Sequence, residues 1–472
     1  MSAKECRKKA SRQTKRPPLR RALDWIVSDR IFGDLRFHGN INWTPAALVR
    51  LAIFWVWSSQ SSLVAAAAEA IGQVTAIWGS APVVSYQGLT KALKRYTFSL
   101  LPVIWKQLQE LLGQRDRSTW RIGLWLALAM DGSRLHVPRT QPNEERFCKP
   151  RRKGKKKKRR DKQRARHAGR KRAAARQKSH YDPQPVGPQM WLTLLWHIGS
   201  RLPWCWKTGP SYTSERAHVL ELLKEQSFPE NTLFCGDAGF VGYDFWQSIA
   251  RHGHHFLVRV GSNVHLLKRL GYVRERAGIV YCWPDKAMRK KQLPLALRLL
   301  HFRDGRGDVY LVTSVLNEER LTDRQASEIY RLRWGIELQF RSFKQTFGRT
   351  KLRSRTPDCA EIECHWSLLG LWMVQLLALK EQTATDEPPP QTSIAAVLRI
   401  IRSMMYNQVT TRRSPTLAQQ LQTATTDSYE RHSKKKSRNY PRRKEEPSAG
   451  PPKILVATEV EKRKLRKTKR AA

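Results

Sequence analysis

Apolar residues recur at three- and four-residue spacing through much of positions 21 to 118, as in LTKALKRYTFSLLPVIWKQLQELL (89–112), and this spacing predicts helices. NWTPAALVRLAIFWVW (42–57) adds a start signal, with Thr44 as N-cap and Pro45 at the first helical position. A small all-helical domain is expected there, and the basic helix in SYQGLTKALKRY suits reading a DNA groove as well as packing in a bundle. The pattern then changes. RIGLWLALAMDGSRLHV (121–137) reads as a buried strand ended by a turn at Asp131-Gly132. MWLTLLWHI (190–198) and LPWCWKTG (202–209) read as a hairpin, Ser214 caps a helix over SERAHVLELLKEQ, and TLFCGDAGF (232–240) is a strand ended at Asp237. Strand, hairpin, helix and strand in this order predict an α/β domain over 119–380, built on a mixed sheet flanked by helices. HFLVRV, VYCW, LRLLHF and DVYLVTSVL predict a mainly β insertion over about 256–316, ahead of a helix from Asp323 to about Phe347. An apolar helix (365–380) and a helical region (381–425) follow.

Three stretches carry no such pattern: 1–20, 141–180 and 426–472. They are rich in Lys and Arg, poor in apolar residues, and expected to be a flexible arm, a disordered insert and a disordered tail. Together with the rest of the chain they bring the formal net charge to +49 over 472 residues. Self-repulsion of that size points to a polyanionic partner, hence nucleic acid. No apolar run reaches the roughly 18 residues that span a bilayer, and MSAKECRKKASRQTKR lacks a signal-peptide core, so a cytoplasmic, nucleoid-associated bacterial protein with no membrane partner is expected. Seven cysteines without a C-x-x-C pair argue for reduced thiols. Cys359, Cys364 and His365 form the tightest metal-like group but lack a second ligand pair.

The chemistry concentrates in IYRLRWGIELQFRSFKQTFG (329–348). At about 100° per residue, Tyr330, Arg333, Glu337 and Lys344 share one narrow stripe, beside an apolar face of Leu332, Ile336, Phe340, Phe343 and Phe347. An amphipathic helix with a solvated charged face would give the same wheel. Asp131 and Asp237 shift the balance, since both end apolar strands next to glycine, where open α/β sheets place ligand-binding groups. An isolated Asp there is a common turn former. Two of them with a cleft-facing Glu are the hard oxygen donors that a pair of Mg2+ ions requires.

The spacing Tyr330-x2-Arg333-x3-Glu337-x6-Lys344, with Asp131-Gly132-Ser133 and the segment from Asp237 to Tyr243, resembles the signature of bacterial insertion-sequence DDE transposases. The resemblance covers about residues 25 to 410. It implies an RNase H-like core with a β insertion before the catalytic Glu, and a transposase that cleaves the terminal inverted repeats, often through a hairpin intermediate, and joins them to target DNA. It also implies that Asp131, Asp237 and Glu337 are catalytic and bind two Mg2+ ions, with Mn2+ able to substitute. Double-stranded DNA, as transposon ends and target, is then the partner of a dimer or higher oligomer in a synaptic complex. Tyr330, Arg333 and Lys344 would contact end DNA, joined by Arg341 and by Trp283, the candidate to stack on a flipped base. The basic insert after Asp131 departs from the family pattern. Seventeen Trp are present, and Trp55, Trp57, Trp191, Trp196, Trp204 and Trp206 fall at spacings that fit core packing. Three rival readings share most of these features: a non-catalytic nucleic-acid-binding protein, an RNase H-like nuclease that cuts without joining, and an inactive copy of a transposase.

Overall fold

Short polar residues open the N-terminal helices. After α1 (Pro18–Ile26), the hydroxyls of Thr44, Ser62 and Ser85 each accept a backbone N–H three residues on, starting α2 (Pro45–Trp57), α3 (Leu63–Trp78) and α4 (Tyr86–Gly113). The computed structural model describes residues 17–35, 37, 41–114, 121–149, 187–304, 307–383, 391–406, 415–426 and 450–471. Most of the basic arm, insert and tail lies outside these residues.

The α/β domain begins with β1 (Leu126–His136), β2 (Gln189–His197) and β3 (Leu202–Pro210), paired antiparallel in that order. On its other side β1 pairs parallel with β4 (Thr232–Gly236), which pairs parallel with β5 (His255–Val260). Parallel neighbours need crossover connections. That between β4 and β5 is α7 (Tyr243–Arg251), and α6 (Glu215–Glu225) links β3 to β4. The order β3-β2-β1-β4-β5 is the mixed sheet of an RNase H-like core.

Several expectations need correction. HFLVRV is the core strand β5 rather than part of the insertion, because α7 carries it back parallel to β4. The insertion proper comprises β6 (His265–Lys268), β7 (Ile279–Cys282), α8 (Asp285–Arg289), β8 (Leu295–Asp304) and β9 (Gly307–Thr313). It extends the core sheet instead of standing apart, since β9 pairs antiparallel with β5. Residues 141–147 of the basic stretch form α5 (Gln141–Phe147), held by the buried Asn143 and Phe147. Pro18–Leu19 belong to α1 rather than to an arm, with Leu19 buried. Within the tail, β10 (Lys453–Val456) pairs parallel with β6 and leads into α14 (Glu459–Ala471). Backbone ladder bonds do not depend on side-chain polarity, and the buried Leu465 and Thr468 fix the helix in spite of its charge.

Asp323 opens α9 (Asp323–Leu332) under a capping box from Thr322 and Gln325. The single helix expected to Phe347 is interrupted at Arg333 and Trp334, resumes as α10 (Gly335–Arg341), and closes in a π-helical turn, Ser342–Thr346. Next comes α11 (Pro357–Gln382), apolar all round and buried along its apolar stretch. It meets the length and apolarity of a membrane span, which the sequence reading did not credit to any run, yet it is the core helix here. Trp57 donates to Gly370 O at 3.0 Å and Trp366 to Thr97 Oγ1 at 2.9 Å, so α11 fastens the helical domain to the α/β domain. The helices α12 (Ile394–Tyr406) and α13 (Leu417–Gln422) complete this side.

Candidate active site

The parallel register of β1 and β4 ends at Ala129 opposite Cys235. Asp131 and Asp237 each follow two residues later, so with the two-residue period of a strand they leave the same face of neighbouring strands roughly 5 Å apart. Asp131 does not end its strand, as its turn-like sequence suggested. β1 continues to His136 along β2, and Asp131 marks only the end of pairing with β4. One carboxylate oxygen of each Asp is held by backbone: Asp131 Oδ1 accepts from Gly132 N and Asp237 Oδ1 from Gly239 N, both at 2.8 Å.

Glu337 sits in the first turn of α10, and that helix packs on β1. Gly335 permits the approach. A Cβ there would lie 2.1 Å from Trp196 Cη2, on an indole buried in β2. Gln339 and Gln375 exchange amide hydrogen bonds at 2.9 and 2.8 Å and lock α10 to α11. Gly335→Ala is therefore expected to cost about 1–3 kcal/mol and to displace Glu337. Urea denaturation checks the first effect, and a variant as stable as the parent would show that α10 does not rest on Trp196.

Burial is the main cause that pushes Asp131 up to about 6, with the Asp237 and Glu337 charges adding and the Gly132 N–H and Arg333 opposing. This coupling brings the three predicted carboxylates into one electrostatic neighbourhood. A fourth is present that the sequence reading missed. Glu215, at the first turn of α6, is pushed up to about 7 by burial first, then by Asp131 and Asp237. β3 runs in the same direction as β1, so α6 starts at the edge where the Asp residues emerge. An acidic residue after a Ser cap reads in sequence as ordinary helix-end chemistry. The glycines beside both Asp residues were the only further hint.

Among the described residues no three His, Cys, Asp or Glu groups grip a common point as they stand. The donor set nevertheless suits a hard divalent cation, because half-buried carboxylates with an oxygen free of backbone repel one another until positive charge separates them. Both carboxyls are raised above their unfolded values, so the folded protein keeps protons that the unfolded chain releases from about pH 4 to 7. Their contribution to stability is complete below pH 4 and is lost as pH rises through 6 and 7. Metal-free protein is expected to melt lower at pH 8 than at pH 5, and Asp131→Asn to lessen the difference. Equal slopes in scanning calorimetry would dissociate Asp131 from the effect.

The cationic residues do not form one exposed stripe. Arg333 is 4% exposed, with its guanidinium over Tyr330 at 5.2 Å and Trp334 at 5.3 Å, facing Asp131. Its Nε is buried without an acceptor. Tyr330 is buried, Lys344 is half-buried in the π-helical turn, and burial lowers its ammonium below the usual lysine range. Arg341 is exposed and lines a different cleft, with Leu338, Gln345 and Gln375, to which Glu337 does not contribute. Trp283 is buried, and its indole donates to Gln292 O at 2.7 Å, so its ring packs inside the insertion and offers no face to a base. Trp334, 49% exposed beside Glu337, is the open aromatic here. Of the tryptophans assigned to the core, Trp55, Trp57, Trp196, Trp204 and Trp206 are buried. Trp191 is half-buried under the Arg134 guanidinium at 4.9 Å. Buried His365 accepts the Trp206 indole N–H on Nδ1 at 2.8 Å, and burial lowers it to about 4, which leaves it a packing group.

Residues 189–373 match the family model of the transposase DDE domain, a span that holds Asp237 and Glu337. Asp131 lies before the basic insert and outside the match. Transposase InsG of insertion sequence element IS4 from Escherichia coli (strain K12) is 26% identical over 218 residues, which are 44% of this chain and 48% of that protein. The transposase of insertion sequence element IS421 from Escherichia coli is 33% identical over 86 residues, 18% of this chain and 22% of that one. The chain thus spans about half the length of the first relative and about a fifth of the second. A piggyBac transposase synaptic complex with hairpin DNA aligns at a TM-score of 0.39 and 10% identity, over 89% of this chain and 88% of that one, a likeness on which no argument rests. On the family match and the relatives, set over the Asp131, Asp237 and Glu337 edge of the sheet, the chain is similar to the DDE transposases of insertion sequences and carries a match to their DDE domain over residues 189–373.

Proposed function

We propose that this chain cleaves the ends of its insertion sequence and joins them to target DNA, with Asp131, Asp237 and Glu337 holding divalent cations. The observation that carries the reading is the matched register of the two Asp residues on adjacent parallel strands, coupled in charge to a Glu on the helix packed over them. Two Mg2+ ions, or Mn2+ in their place, would supply Lewis-acid stabilisation of the oxygens that attack and leave phosphorus. The protein's own residues do the rest. The carboxylates hold a fixed negative pocket, and Gly335 and Gln339 set the height of Glu337 above the sheet. Arg333, with its guanidinium against the Tyr330 and Trp334 rings and its charge acting on Asp131, would donate to a phosphate oxygen of the end DNA. Lys344, farther along the same segment, serves a second phosphate. The large positive charge of the chain favours a duplex of either sequence, so non-specific affinity comes from charge and end recognition from the folded parts. Two copies acting on paired ends are the expected assembly.

A strand-transfer assay tests this reading. Purified protein, a duplex ending in the element's inverted repeat and a plasmid target should give joined products in Mg2+ and none in EDTA. Cutting without joining would support a nuclease instead, and binding alone a non-catalytic DNA-binding protein or an inactive copy.

A further inference from the structure

The cleft beside α10 to which Glu337 does not contribute has a chemistry of its own. Gly335 and Leu338 line it, about 160° and 100° round the helix from Glu337, so it faces away from the carboxylates. It encloses about 440 Å3 and runs on past Gln345 and Thr346 to the outer face of α12. Four exposed arginines from four parts of the chain surround it. Arg201 comes from the turn between β2 and β3, Arg331 from α9, Arg341 from α10 and Arg399 from α12. No Asp or Glu lines it. Soluble surfaces intersperse charges of both signs, whereas a concavity lined by one sign focuses its potential and draws the opposite charge. The neutral polar lining includes Gln345 and Gln391, and the first residues of α12, Ile394 and Ala395, also open on the cleft. Arginines, amides and a helix N-terminus are the groups that grip DNA phosphates without reading bases.

Joining requires two DNA molecules to meet at one carboxylate centre. Arg333 and Lys344, which the reading above gives to the ends, do not line this cleft. Leu338 on its wall follows Glu337 in the chain, so no more than the width of α10, about 10–12 Å, separates the cleft from the centre. We infer that the cleft seats one backbone of the target duplex while the ends occupy the carboxylate side of α10. This assignment rests on the joining reaction proposed above and adds the surface that such a reaction needs. Because its contacts are to phosphates, it holds a target of any sequence.

The test is the double variant Arg201→Gln/Arg399→Gln of the full chain in Mg2+, which alters two exposed side chains on separate elements. End binding and end cleavage are read on a labelled inverted-repeat duplex, and joining on a plasmid with pre-cut ends. The variant should bind and cut ends as the parent does. It should join them about tenfold less well at physiological salt, with the salt slope of joining lower by about two units, one for each lost phosphate contact. Lysine at both positions keeps the charge and should restore joining. Parent-like joining and slope in the Gln variant would overturn the assignment. Loss of end cleavage in step with joining would overturn it as well, by placing end DNA in the cleft. A parent that cuts ends but never joins them would overturn the joining reaction, and the role of the cleft with it.

Discussion

Glu337→Gln is expected to bind end DNA as the parent protein does and to cut it about a thousandfold more slowly, a loss of roughly 4 kcal/mol in the barrier. The amide keeps the size of the side chain and the fit of α10 on β1, so the fold and the basic surfaces are unchanged. What it loses is the negative oxygen that makes a carboxylate a good partner for a hard cation. Glu337 is exposed in the first turn of its helix, so no buried partner is orphaned by the change and stability should move little. Cleavage rates on labelled duplex in Mg2+, set against a binding isotherm on the same duplex, check both halves. Cleavage within tenfold of the parent would remove Glu337 from the reaction.

The second large effect concerns the fold. Glu363 is fully buried in α11, where it accepts the backbone N–H groups of Arg353 (2.9 Å) and Ser354 (2.9 Å) and the Ser354 hydroxyl (2.8 Å). It lies 3.8 Å from Arg349, whose side chain is 6% exposed and donates to Ser367 Oγ at 2.7 Å. Glu363→Ala would leave a buried guanidinium without its counter-charge and three donors without an acceptor. A loss of about 3–5 kcal/mol is expected. The clamp also matters to the site, because the segment it grips follows the π-helical turn and bonds to the end of β1, with His136 N to Thr350 O at 3.1 Å and Leu352 N to His136 O at 2.8 Å. Urea denaturation measures the loss, and a change under about 1 kcal/mol would show the pair to be incidental.

The sheet and its Asp edge were legible because apolar strands, a Ser-capped helix and glycine-flanked Asp residues are local signals. The strand order was not local. HFLVRV looks the same whether it joins the core or the insertion, and only its parallel pairing with β4 decides. The helical wheel found Glu337 but assumed a straight helix, while the interruption at Arg333 and the π-helical turn redirect Arg333 inward and Lys344 into partial burial. Trp283 was chosen by residue type and position in the insertion, whereas burial depends on the packing of β7 and α8 around it. Glu215 was invisible because its partners are 84 residues before it and 22 after it, and its own neighbourhood reads as a helix cap. The basic tail was judged by composition, which does not register that four residues can close a sheet edge by backbone bonds alone.

Anomalous scattering from crystals of the full chain grown with MnCl2 would show whether these carboxylates hold a divalent cation. Manganese is expected within about 2.0–2.6 Å of carboxylate oxygens of Asp131 and Asp237, with Glu337 at the same centre. Manganese bound elsewhere, or none at this edge of the sheet at saturating concentration, would contradict it.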